Sequence, residues 1–272
     1  MKTRMLGPFF LIAFAWGWSL IAIVLAFPET VESVFGELSS TNPMFILAVY
    51  SPAIAAFILV LWAGGPSALK RFLSRFLLWR VHWGWYLFLL FGIPLLFLCA
   101  NALGGTPFSE PFPFTSVGAA ISAVAFMMVL GPMEEFGWRG VAQPLLQRSL
   151  APFWAAIVLG IIWAIWHLPA FFLSGVPQGG LSFLPFFIAA IAISLIITPM
   201  FNSSGGSILL PALMHWQLNT PLIPNVEPYN TWVFSAAAVV IVWINRKTMF
   251  DKSSGVTVVI PEEGQALRPG GH

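Results

Sequence analysis

Residues 119–147 read AAISAVAFMMVLGPMEEFGWRGVAQPLLQ, an apolar run that carries Glu134, Glu135 and Arg139 near its middle and is interrupted at Pro132. A helix needs about 20 apolar residues to cross the roughly 30 Å of hydrocarbon in a bilayer, and this run is long enough. A water-soluble helix would gather its charges on one solvent face, with apolar residues on the other. Here the charges sit together in the middle, apolar on both flanks, where exposure to lipid would be costly.

Seven further runs of similar character lie at about 7–27, 44–62, 84–103, 152–173, 183–201, 207–222 and 231–244. They predict an all-α, polytopic membrane protein of about eight transmembrane helices, with the charged centre between helices 4, 5 and 7. One transmembrane domain is expected over 1–246, followed by a flexible cytoplasmic tail over 247–272 that is polar and contains Gly and Pro. The composition agrees: 58% hydrophobic and only 8% charged residues in 272, against about 25% charged in soluble domains. That balance excludes both an ordinary soluble globule and a disordered chain. A net charge of +2 with scattered basic residues argues against nucleic-acid binding. Cys99 is the single cysteine, so no intrachain disulfide is possible. The first run follows Lys2 and Arg4 but lacks a small-residue cleavage site, and it reads as a retained anchor.

Charge placement tests the count, because Lys and Arg accumulate in cytoplasmic loops. With eight crossings, Lys2, Arg4, Lys70, Arg71, Arg75, Arg80, Arg148, Arg246, Lys247, Lys252 and Arg268 fall on one side. Glu29, Glu32, Glu37, Glu110 and Glu227 fall on the other, without any Lys or Arg. Both termini are therefore expected in the cytoplasm of a multi-pass cell-membrane protein, and a polar cavity opening to the cytoplasmic side is the simplest route for water. The basic stretch 67–85 reads either as a helix lying on the inner membrane surface or as a solvated loop.

The informative residues are the few polar ones inside apolar runs. The fourth run carries Glu134, Glu135 and Arg139, the fifth His167, and the seventh His215 and Asn219. Residues four apart share a helix face, so Glu135 pairs with Arg139 and leaves Glu134 as the available carboxylate. His215 and Asn219 share another face, and Trp163 stands one turn before His167. Such groups can also satisfy one another as a buried network that only fixes helix packing, although adjacent glutamates are a poor choice for that purpose. His82 and His272 lie in polar surroundings and read as solvated.

The three segments, Glu134-Glu135-Phe136-Gly137-Trp138-Arg139, Trp163-Ala164-Ile165-Trp166-His167 and His215-Trp216-Gln217-Leu218-Asn219, resemble the motifs of the CPBP family of intramembrane proteases. That family includes type II CAAX prenyl endopeptidases and bacteriocin-processing or self-immunity proteins. Its pattern is Glu-Glu-x-x-x-Arg, then Phe-x-x-x-His, then His-x-x-x-Asn/Asp. Trp163 departs from it by replacing the usual Phe, which bears on the width and specificity of the cleft.

The resemblance implies an intramembrane endopeptidase whose partners are the lipid bilayer and a membrane-bound peptide or prenylated protein. The residues permit the chemistry on their own terms. Glu134 would activate water as general base, His167 would position it, and His215 with Asn219 would donate to the oxyanion. Glu135, Arg139 and Trp163 would support them. No cofactor is expected. Two alternatives remain open: a zinc protease ligated by Glu134, Glu135, His167 and His215, and a non-proteolytic binding or transport protein using these groups as a relay.

Overall fold

The computed structural model describes residues 1–105, 115–220 and 224–262. Each of the eight apolar runs holds a helix, and no strand occurs among the described residues. The main helices of these runs are α1 Leu6–Ala26, α2 Ser51–Leu73, α3 Trp83–Leu103, α4 Val117–Gln147, α5 Pro152–His167, α6 Phe183–Ser203, α7 Leu209–Asn219 and α8 Tyr229–Ile244, with shorter helices at Pro28–Phe35, Pro43–Val49 and Arg246–Met249. Six described helical segments are long and apolar enough to cross a membrane, which makes this a multi-pass membrane protein. They contain α1 to α6. The eighth run is a shorter apolar helix of 16 residues. The seventh is a helix of 11 residues, about 16 Å long at the α-helical rise and so only about half the hydrocarbon thickness. Gly205 and Gly206, both at positive φ, turn the chain sharply into it.

Lipid replaces water around much of this bundle, as the exposure of Leu11, Trp62, Leu90, Phe91, Val117 and Val239 shows. Inside, Phe9, Phe72, Trp138, Leu145 and Leu159 form one core where α1, α2, α4 and α5 meet. Ile196, Phe201, Met214 and Phe234 form a second core that joins α6, α7 and α8. Gly137 allows α4 to approach α2 closely, because a Cβ there would lie 2.5 Å from the Pro52 carbonyl oxygen.

Helix α4 is not regular. Its first α-helical part, Val117–Met127, ends in a turn, and a 3₁₀ turn at Gly131–Met133 leads into one α-turn at Glu134–Gly137. A π-helical turn at Trp138–Ala142 follows. Pro144 lacks an amide hydrogen, so the Gly140 carbonyl has no donor at the usual i+4 position. Arg75 takes that carbonyl instead: its Nη1 donates to Gly140 O at 2.6 Å and to Val259 O at 3.1 Å, and its Nε donates to Gly206 O at 3.0 Å.

Stretch 67–85 is thus neither an interfacial helix nor a solvated loop throughout. Beyond a break at Gly64 and Gly65 a second helical segment of α2 runs to Leu73, Ser74–Leu77 form a 3₁₀ turn, and Arg75 is turned inward and buried. The stretch expected as a flexible tail from 247 onward instead follows the bundle as far as Pro261. Arg148 donates to Thr257 O, Gln147 to Val256 O and Arg71 to Pro261 O, while Val259 is buried. The remainder, 263–272, lies outside the described residues, as does Glu110.

Candidate active site

The break in α4 sets the two glutamates at the start of a fresh helical turn, where they diverge. Glu135 is fully buried and its Oε1 accepts from Arg139 Nη1 at 3.0 Å, as the i,i+4 spacing predicts. The same oxygen lies 2.7 Å from His215 Nδ1. A carboxylate only accepts, so the His215 ring donates from Nδ1. Arg139 also lies over the face of Trp163, with its guanidinium carbon 5.2 Å from the ring centroid.

Glu134 has a different environment. Its Oε2 accepts from two indoles, Trp163 Nε1 at 2.8 Å and Trp138 Nε1 at 3.1 Å. Its Oε1 stands 3.9 Å from His215 Nε2, too far for a direct hydrogen bond and a spacing that one water can bridge. One oxygen of the carboxylate is therefore fixed by donors, while the other faces the histidine.

His167 ends α5 with its Nδ1 2.8 Å from the Trp163 carbonyl oxygen. Because a carbonyl only accepts, the ring donates from Nδ1, and in the neutral ring Nε2 keeps its lone pair. Trp163, Trp166 and Phe186 meet this ring edge to face, at centroid distances of 5.4, 4.7 and 4.9 Å. Asn219 sits one turn after His215, and both point at Gly131. A Cβ on Gly131 would lie 2.1 Å from Asn219 Nδ2 and 2.8 Å from His215 Nε2. The two nitrogens converge on one spot that only a glycine leaves open.

Glu134, Trp163, His167, His215 and Asn219 line a single cavity of about 560 Å³. Its walls are largely apolar, including Trp18, Ile21, Phe45, Leu130, Ile193 and Phe234. Glu135 and Arg139 are buried behind it as a support. The candidate site residues Glu134, Glu135, Arg139, Trp163, His167, His215 and Asn219 thus belong to one cluster, and the structure adds three more. Trp138 donates to Glu134, Gly131 leaves room beside His215 and Asn219, and Arg75 braces the broken helix from behind. The i,i+4 spacing of Glu134 and Trp138 is a sequence signal for the first; neither of the others has a local one.

The cavity and the basic residues occupy opposite ends of the bundle. At the basic end Arg148 also donates to Met1 O, tying the N-terminus to the docked C-terminal stretch. The cavity is lined from the other halves of the same helices, with Ser40, Gln178, Asn225 and Glu227 contributed by connections at that end. Residue 1 and the docked stretch 256–261 therefore lie at the end away from the cavity, so a cytoplasmic N-terminus and a cavity open to the cytoplasm, expected together, do not go together in this fold.

Fold and site together define a multi-pass membrane protein that holds a Glu-Glu-Arg, His and His-Asn cluster in an apolar cavity. Residues 116–221, which carry all three motifs, match the family described as Rce1-like, type II CAAX prenyl endopeptidase Rce1-like. The chain is also similar to CAAX prenyl protease 2 of Methanococcus maripaludis, with 28% identity over 160 residues, covering 55% of this chain and 56% of that protein. Over these residues the chain resembles that family, and its similarity spans just over half the length of this archaeal relative.

Proposed function

We propose that the protein is an intramembrane endopeptidase that hydrolyses a peptide bond of a membrane-associated substrate with a water activated by Glu134. The observation that carries this reading is the asymmetry of the Glu134 carboxylate. Its Oε2 is occupied by two indole donors, and its Oε1 faces His215 Nε2 across 3.9 Å inside the cavity.

In this mechanism Glu134 Oε1 takes one proton from the attacking water, and the water oxygen adds to the substrate carbonyl carbon. His167 Nε2 accepts the water's other hydrogen and orients it. The oxyanion forms where His215 Nε2 and Asn219 Nδ2 converge beside Gly131. Donation from both nitrogens of His215 requires its doubly protonated ring, whose charge the Glu135 carboxylate at Nδ1 balances. Glu134 then returns the proton to the leaving amine as the C–N bond breaks, which regenerates the carboxylate. Glu135 and Arg139 keep His215 and the helix in register.

The donor assignments also support catalysis without a metal. Glu135 serves Arg139 and His215, and Glu134 Oε2 serves two tryptophans. Asn219 has a use as an amide donor to an oxyanion and little as a zinc ligand.

The apolar walls suit a segment carrying an acyl, prenyl or transmembrane anchor. The name of the archaeal relative makes a prenylated CAAX peptide the first compound to assay. Purified protein in detergent is incubated with that peptide, its unprenylated counterpart and a transmembrane peptide, and products are read by mass spectrometry. Cleavage at a defined bond supports the reading; intact peptides throughout, from folded protein, count against it.

A further inference from the structure

The two ends of the bundle differ in charge as well as in shape. Lys2, Arg4, Lys70, Arg71, Arg75, Arg80, Arg148, Arg246, Lys247 and Lys252 all lie toward the end that holds residues 1 and 257–261. The opposite end carries Glu29, Glu32, Glu37 and Glu227, and its described connections contain no Lys or Arg. The positive-inside bias assigns the basic end to the cytoplasm.

The cavity lies wholly toward the other end. It is lined by the second half of α1 (Gly17, Trp18, Ile21), the last turn of α5, the first halves of α6 and α8 and the last turn of α7. Gly17 is eleven residues beyond Leu6, roughly 17 Å along the helix at 1.5 Å per residue. The floor of the cavity is therefore near the bilayer midplane, and its mouth is in the half opposite the basic end.

Resting on the peptidase reading above, we infer that the site admits its substrate from the non-cytoplasmic side of the membrane. Its substrate class is then a membrane-anchored protein or peptide whose scissile bond lies in, or reaches down into, the non-cytoplasmic half of the bilayer. A tail held at the cytoplasmic surface would face the docked stretch 256–261 and the Arg75 and Arg148 contacts, with the buried core of Phe72, Trp138 and Leu145 between it and Glu134.

The test separates access from chemistry. In a Cys99→Ala background, Ser174→Cys labels the loop beside the mouth, and Ser253→Cys labels the basic end. Both serines are exposed and outside the catalytic cluster. Intact cells are treated with a membrane-impermeant maleimide, then permeabilised and treated again. Labelling of Ser174→Cys in intact cells, with Ser253→Cys labelled only after permeabilisation, is expected; the reverse pattern overturns the inference.

In sealed vesicles of known orientation, a single-span peptide with its cleavable segment on the Ser174 side is cut, and the inverted peptide is not. Cleavage confined to the inverted peptide also overturns it. Correct labelling with cleavage of neither peptide, nor of any peptide in detergent, contradicts the peptidase reading and leaves the orientation intact.

Discussion

Trp163 Nε1 donates to Glu134 Oε2 at 2.8 Å, joining the aromatic position of the second motif to the first glutamate of the first. The usual Phe at this position has no donor to offer. In this chain the larger ring does more than occupy space: with Trp138 it fixes the carboxylate so that Oε1, the other oxygen, faces the cavity. Trp163→Phe removes one hydrogen bond to a charged group, worth about 1.5–3 kcal/mol. Because Trp163 orients Glu134 and does not attack the substrate, kcat is expected to fall at least about ten-fold with KM little changed. Steady-state kinetics of folded protein checks this, and an unchanged kcat removes the positioning role.

Gly131 is the second lever on the site. A methyl group at this position would overlap Asn219 Nδ2 and crowd His215 Nε2, at 2.1 and 2.8 Å. In Gly131→Ala the asparagine amide must swing away, and the pair no longer converges. Misplacing catalytic groups by about 1 Å costs on the order of a hundred-fold in rate. The expected result is turnover reduced by about that factor, with little loss of thermal stability in detergent. Wild-type turnover would show that the convergence beside Gly131 is not used.

Glu135 anchors more than it reacts. Its Oε1 serves both Arg139 and His215 with all three side chains buried. Removing one partner from a buried ion pair costs about 3–5 kcal/mol, because the other charge is left uncompensated. Glu135→Gln is therefore expected to lower the unfolding temperature in detergent as well as the activity. Full stability in Glu135→Gln would contradict the supporting role.

Metal dependence provides another outcome. Chelator treatment of active protein is expected to leave turnover unchanged, and elemental analysis to find no stoichiometric zinc. Loss of activity on chelation, restored by zinc, would replace the carboxylate-and-indole account with a metal one.

Much of the site was legible because its residues obey local geometry. Glu135 with Arg139, and His215 with Asn219, are one helical turn apart, and their polarity stands out in apolar runs. The convergence of α4, α5 and α7 on one cavity follows from those faces. Arg75 was not legible. It sits in a basic stretch that resembles any cytoplasmic loop, and its inward turn depends on a carbonyl released by Pro144, 69 positions later. The docked stretch 256–261 escaped for the same reason, since a polar segment shows nothing of the arginines that bind its carbonyls. The length of α7 was also hidden, because an apolar run records burial and not where the helix stops.

The account stands most directly on Glu134. Folded wild-type and Glu134→Gln proteins are each incubated in H₂¹⁸O with a peptide that the wild type cleaves, and the products are weighed by mass spectrometry. The account predicts one ¹⁸O atom in the new carboxylate of the wild-type product and a rate about a hundred- to ten-thousand-fold lower for Glu134→Gln. Glu134→Gln protein that cleaves at close to the wild-type rate would contradict it.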